Sequence, residues 1–200
     1  LSVLSRGHRH LVSPRRVRVL GEHLLALIPS GSSVLDVGCG DGALDAWLQA
    51  NETDLQIRGV DVFVRPEAAI PVEAFDGRRL PHPDGCFDLV MMVDVLHHAE
   101  DALALLREAA RVARRGIVIK DHNREGVLAF ATLCLMDFVG NAYEGAIQKY
   151  RYWSKREWGE VFRSAGLKVL SYRDRLGLYP PPADWLFGRH LHFVALLGKA

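Results

Sequence analysis

The run Ser33-Val34-Leu35-Asp36-Val37-Gly38-Cys39-Gly40-Asp41-Gly42 constrains the fold of this chain more than any other stretch. Its apolar half, ending in an acid, reads as a buried parallel strand. Three glycines at alternate positions then form a loop, and Ala43-Leu44-Asp45-Ala46-Trp47-Leu48 opens a helix. A strand, a glycine loop and a helix N-terminus together bring bare backbone against a ligand. Glycine is needed where a Cβ would collide with that ligand or where φ must be positive. The helix N-terminus favours anionic or hydrogen-bond-accepting groups. The spacing is Asp-x-Gly-x-Gly-x-Gly, not the Gly-x-Gly-x-x-Gly of dinucleotide sites. On these residues alone the loop is either a structural turn or a ligand cradle.

The flanking sequence reads as alternating helices and strands. Residues 13–28 form a helix with Ser13 as N-cap and Pro14 at the first helical position. Residues 55–61 form a second strand ending in Asp61, about twenty residues beyond the glycine loop, where an open α/β sheet can hold a ribose diol. The structural alternative for Asp61 is a helix cap. Residues 63–71, marked by Pro66 and Pro71, allow only a single turn, and 72–75 give a short third strand. Unbroken hydrophobicity over 89–93 reads as a buried fourth strand. An amphipathic helix over 101–114 leads to a fifth strand, 117–120, with Asp121, His122 and Asn123 at its carboxyl end. Beyond it, 124–138 reads as an apolar helix, and Ser154 with Glu157 as a capping box opening another. A sixth strand over 167–172, a stiff Pro180-Pro181-Pro182 connector and a last strand over 190–197 complete the chain.

Composition excludes several classes. Two hundred residues, 49% of them hydrophobic, suit one domain with at most a small appendage. We divide them into a basic segment and helix at 1–30 and a ligand-binding domain at 31–200, with 124–153 covering an acceptor. A formal charge of +1 gives no bulk attraction to nucleic acid or membrane. Arg6, Arg9, Arg15, Arg16 and Arg18 do make the N-terminus locally basic, either as a solvated face or as a phosphate-binding arm. Cys39, Cys86 and Cys134 are odd in number and lack a Cys-x-x-Cys pattern, which fits a reducing, cytoplasmic setting. The apolar run at 126–136 is short of the roughly 18 residues of a membrane span.

An Asp at the end of the third strand, then Leu80-Pro81-His82-Pro83-Asp84-Gly85-Cys86-Phe87-Asp88, an apolar strand and Val95-Leu96-His97-His98 complete a pattern over 33–120. It resembles the class I S-adenosylmethionine-dependent methyltransferases, in particular the small-molecule group related to ubiquinone and menaquinone C-methylating enzymes (methyltransferase type 11). The resemblance implies a Rossmann-like α/β fold: a seven-stranded, mostly parallel sheet with helices on both faces and an antiparallel last strand. It implies S-adenosylmethionine as cofactor. Gly38, Cys39 and Gly40 would pack on its methionine portion, with Asp36 ordering the loop and the ammonium group. Asp61 would hold the ribose, Val62 or Phe63 an adenine face, and Asp76 with Gly77 the adenine amino group. Backbone at Val93 or Asp94 would approach the ammonium group.

Acceptor-side candidates are Asp94, His97 and His98 after the fourth strand, and Asp121, His122 and Asn123 after the fifth. His97 and His122 are the candidate bases, since neutral imidazole suits proton abstraction; His98 packs or caps. No Cys or acid joins these histidines at ligand spacing, so no metal site is expected. Tyr150 and Trp153 stand in the segment expected to cover the acceptor and to line an apolar or aromatic pocket. The expected reaction is methyl transfer to a small molecule, with no transmembrane segment and no strong nucleic-acid signal. The alternatives are methylation of nucleic acid or protein, and a non-catalytic S-adenosylmethionine-binding partner protein.

Overall fold

The computed structural model describes residues 13–141 and 151–200. Its centre is a seven-stranded sheet in the order β3-β2-β1-β4-β5-β7-β6. The strands are β1 (Ser33–Val37), β2 (Gln56–Asp61), β3 (Val72–Ala74), β4 (Phe87–Val93), β5 (Ala113–His122), β6 (Leu167–Arg173) and β7 (His192–Lys199). β1 to β5 run parallel, and β7 lies antiparallel between β5 and β6. The expected architecture is the observed one. The chain order reverses beside β1 and β4, and in open α/β sheets ligands bind outside the strand carboxyl ends at such a switch point.

Two apolar layers sandwich the sheet. On one face, Ile117 and Ile119 of β5 pack with Leu105, Leu106 and Ala109 of α3 (Ala102–Val112) and with Trp158 and Phe162 of α5 (Lys155–Ser164). On the other, Val34, Met91 and Val118 meet Leu20 and Leu24 of α1 (Ser13–Leu25) and Leu48 of α2 (Ala43–Asn51). The strands buried on both faces are those with unbroken apolar runs, as burial between two helical layers requires. A satellite cluster of Ala129, Leu133, Tyr152 and Leu191 lies beside α4 (Ala129–Asn141).

Several boundaries differ from the sequence reading. β5 runs on through Asp121 and His122, which pair with Phe193 and His192 of β7; the polar residues expected beyond the strand lie within it. Strand pairing overrides the helical reading of Ala113 and Arg114 at its other end. α4 starts at Ala129 instead of 124. A five-residue helix, α6 (Ala183–Phe187), follows the proline run that read as a connector. Tyr150 and part of the 124–153 segment lie outside the described residues.

The capping box at α5 is present. Ser154 accepts from the Glu157 backbone N–H, and Glu157 Oε2 accepts from the Ser154 N–H at 2.7 Å. Ser154→Ala should cost about 1 kcal/mol, measured by urea denaturation, because α5 packs Trp158 and Phe162 into the core.

Candidate cofactor and acceptor site

The glycine loop leaves β1 with Gly38, Gly40 and Gly42 all at positive φ. Gly38 has a second constraint, since a Cβ there would come within 2.6 Å of Val95 Cγ2. At Gly40 the space a Cβ would enter is open. Asp61, at the end of β2, reaches the loop: one oxygen accepts from the Gly40 N–H at 2.8 Å and the other from the Phe63 N–H at 2.9 Å. Beside it, Val62 and Phe63 are 66% and 70% exposed, an uncovered apolar step at the sheet edge. The Asp76-Gly77 turn abuts this step, so close that a Cβ added at Gly77 would lie 3.2 Å from Val62 Cγ1. Asp76 is exposed, and its Oδ1 accepts from the N–H groups of Arg78 and Arg79, which lower its pKa. Cys39 is half-buried; burial, with Asp36 and Asp45 nearby, raises its thiol pKa far above the ordinary value, so it stays a neutral thiol.

A second group of side chains gathers at the carboxyl ends of β4 and β5. His97 Nδ1 lies 2.7 Å from Asp121 Oδ1, with both side chains almost fully buried. Asp121 also accepts from the N–H groups of Leu96 and His122. Burial opposes its ionisation, but His97 and His122 hold it well below the usual carboxylate range. An ionised Asp121 can only accept, so His97 donates from Nδ1 and keeps its lone pair on Nε2. Asp94, at a φ of 57°, pairs with buried Lys120 and with Arg16 from α1. These cations keep Asp94 ionised despite its desolvation.

Two further buried histidines are pushed toward the neutral form. Burial, then Lys120, lowers the pKa of His122; burial, Lys120 and His122 lower that of His192 further. The rings form a file: His98 to His97 at 3.9 Å, His97 to His122 at 4.8 Å and His122 to His192 at 4.9 Å between centroids. His122 Nδ1 makes no hydrogen bond and lies 3.5 Å from both Asp94 and Asp121.

Two more of the sequence candidates have partners of their own. Asn123 turns toward β6, donating to the Tyr172 hydroxyl at 2.7 Å. Trp153, half-buried, packs edge-on against Trp158 at 4.5 Å. Its neighbour Tyr152 stands 5.8 Å from the ring of His97 and 5.9 Å from that of His122.

The spacing argument against a metal also needs correction. Asp94, His97, Asp121 and His122 offer ligand atoms within 4.8 Å of one another, brought together by the sheet and not by sequence spacing. Most of those atoms already have partners, however. Asp94 meets Lys120 and Arg16, and Asp121 accepts three N–H groups, one of them from His97. The group is an internally neutralised charge network.

A family model described as a methyltransferase domain matches residues 8–172. The chain belongs to this family. This methyltransferase domain is 27% identical over 178 residues to the demethylmenaquinone methyltransferase of Bacillus licheniformis, covering 75% of the chain and 76% of that protein. It is 30% identical over 112 residues to the 27-O-demethylrifamycin SV methyltransferase of Amycolatopsis mediterranei, covering 48% of the chain and 41% of the relative. The domain thus spans about half the length, or less, of several curated relatives it matches. Among solved structures, a chain of the complex between the Haloferax volcanii Trm112 methyltransferase activator and a methyltransferase superposes with a TM-score of 0.70. That match is at 21% identity over 98% of this domain and 93% of that chain.

S-adenosylmethionine is the cofactor of this family and fold, and the residues of the methyltransferase domain fit it. The open space at Gly40, the carboxylate of Asp61 and the bare apolar step at Val62 and Phe63 form a recess into which an adenosine would fit. Sequence reasoning missed Asp45, Arg16, Lys120 and Tyr152 as parts of the site. Two signals were visible: Lys120 is a lone cation ending an apolar strand, and Asp45 is an acid in an otherwise apolar helical turn.

Proposed function

We propose that this domain methylates a small molecule at an atom that loses a proton as the methyl arrives, with His97 taking that proton. The observation that carries the reading is the buried His97–Asp121 pair at 2.7 Å, which fixes the tautomer with its lone pair on Nε2. When bound, S-adenosylmethionine supplies an activated methyl on a sulfonium, so the protein contributes binding, orientation and electrostatics. Asp36 and the glycine loop would hold its methionine portion and Asp61 its ribose. Asp121 stabilises the imidazolium that forms when Nε2 is protonated.

The polar centre is bordered by Tyr152, which meets Phe130 of α4 at 6.1 Å between rings. An aromatic or otherwise flat apolar body carrying a hydroxyl or amine suits such a border; the quinone in the name of one relative, demethylmenaquinone methyltransferase, shares the flat apolar body. The basic N-terminus does not favour a nucleic-acid acceptor, because its described arginines are engaged. Arg15 donates to the Gly177 carbonyl, Arg16 pairs with Asp94 and Arg18 with Glu22. Among the described residues no helix is long and apolar enough to cross a membrane.

The test is transfer of a labelled methyl from S-adenosylmethionine to panels of phenols, hydroquinones and amines, beside RNA and protein fractions. Label in a small hydroxyl- or amine-bearing acceptor is expected. Label confined to RNA or protein would overturn the reading.

A further inference from the structure

The charge network at the ends of β4 and β5 includes one ion pair that water reaches. Asp94 follows β4 directly, at a φ of 57°, and β4 lies beside β1, whose end supplies the glycine loop. The two ends touch: Val95, the next residue, is the side chain that a Cβ at Gly38 would strike. Each oxygen of Asp94 has its own cation, Lys120 on Oδ1 and Arg16 on Oδ2. The two cations differ in access. The Lys120 side chain is 0% exposed and that of Arg16 36%, with Asp94 at 20%. Among the described residues Arg16 makes no other hydrogen bond, so most of its guanidinium N–H groups have no protein partner. Nor does Arg16 position its helix. α1 is held by Leu20 and Leu24 in the core, by Arg15 on the Gly177 carbonyl at 3.2 Å, and by His23 at 3.0 Å from the carbonyl of Leu176.

The amino-acid end of S-adenosylmethionine carries one carboxylate and one ammonium. We infer that Arg16 and Asp94 hold each other in the place of that zwitterion: its carboxylate takes over Arg16, its ammonium takes over Asp94 Oδ2, and the ligand enters between the two. This rests on S-adenosylmethionine as the cofactor. The exchange keeps every charge paired. Each partner released is replaced by one of the same sign, so no half-buried charge is left bare. Lys120 stays on Oδ1 and holds the Asp94 carboxylate in place while its other oxygen changes partner. A guanidinium suits the incoming carboxylate because its fork can make two parallel hydrogen bonds, where it now makes one to Asp94.

The consequence is selectivity for a complete amino-acid end. A ligand with an ammonium but no carboxylate has to open the Arg16–Asp94 pair without offering Arg16 a replacement. A nucleoside with neither group leaves the pair closed. Recognition of the nucleoside is separate, since Asp61 and the Val62–Phe63 step lie at the end of β2, across β1 from β4.

Calorimetry with three ligands tests the insertion: S-adenosylhomocysteine, its decarboxylated analogue, which keeps the ammonium, and methylthioadenosine, which has neither group. Arg16→Gln should weaken S-adenosylhomocysteine by roughly ten- to a hundredfold, the range for a hydrogen bond to a charged group. Methylthioadenosine should stay within a few-fold. The decarboxylated analogue should bind the variant at least as well as it binds the unchanged protein, because Asp94 Oδ2 is then free of Arg16. Arg16→Lys, which keeps the charge but not the fork, should fall between the variant and the unchanged protein for S-adenosylhomocysteine. A merely structural Arg16 would weaken all three ligands alike. That result overturns the inference, and so does an Arg16→Gln variant with unchanged affinity for S-adenosylhomocysteine. Failure of the unchanged protein to bind S-adenosylhomocysteine at all would instead remove the cofactor reading, and the insertion with it.

Discussion

Replacing His97 by Gln lowers kcat by about 10²–10⁴-fold, the range for loss of a general base, while S-adenosylhomocysteine affinity stays within a few-fold. The separation follows from the layout. His97 belongs to the network at the ends of β4 and β5, whereas the cradle is made by the β1 loop and the end of β2. Asp121→Asn should reproduce most of the loss. An amide at 121 can donate to Nδ1, which moves the lone pair off Nε2 and leaves the proton on the wrong nitrogen. Steady-state kinetics on an acceptor found in the labelling screen, with calorimetry for the cofactor side, checks both. A variant with unchanged kcat would remove His97 from the chemistry and leave it a packing residue.

The second large effect falls on stability. Lys120 is completely buried, and its charge is met by Asp94. Burial alone lowers the lysine pKa, and Asp94 acts against that shift. Asp94→Asn should destabilise the protein by about 3–5 kcal/mol, the cost of breaking a buried pair by removing one member. Changing both, Asp94→Asn with Lys120→Met, should recover much of the loss, because the uncompensated charge leaves with its partner. Arg16→Ala should cost far less, since that guanidinium is about one-third exposed and water can replace it in part. Urea denaturation of the three variants checks the order; a double variant no better than Asp94→Asn alone would show that packing, not charge, dominates.

The glycine-loop half of the candidate site was legible in outline because its instructions are local. Gly38, Gly40 and Gly42 announce a backbone held at positive φ, and Asp61 is read from its place at a strand end. The acceptor half is written across the sheet. His97 meets Asp121 from 24 residues away, and Arg16 meets Asp94 from 78. No spacing rule along one element reveals such pairs, and the gathering of Asp94, His97, Asp121 and His122 was missed for the same reason. Trp153 and Tyr152 illustrate the limit at its smallest. Both are aromatic and adjacent, but one faces Trp158 in the core while the other faces His97 and His122. The long β5 was underestimated because Asp121 and His122 look like loop residues until β7 pairs with them.

That pairing sets more than the strand's length. Ile117 and Ile119 lie on one apolar face of the sheet and Val118 on the other, so Asp121 continues the first alternation while Lys120 and His122 continue the second. A slip of one residue between β5 and β7 would exchange these faces. Asp121 would leave His97 at the same moment as Lys120 left Asp94, and the adjacent residue of the strand would turn toward each place vacated. The six paired positions from Ile117↔Leu197 to His122↔His192 therefore serve as an alignment gauge. The backbone ladder of an antiparallel edge fixes which charges meet in the interior, and a polar site can be lost through a mispaired strand with every one of its residues intact.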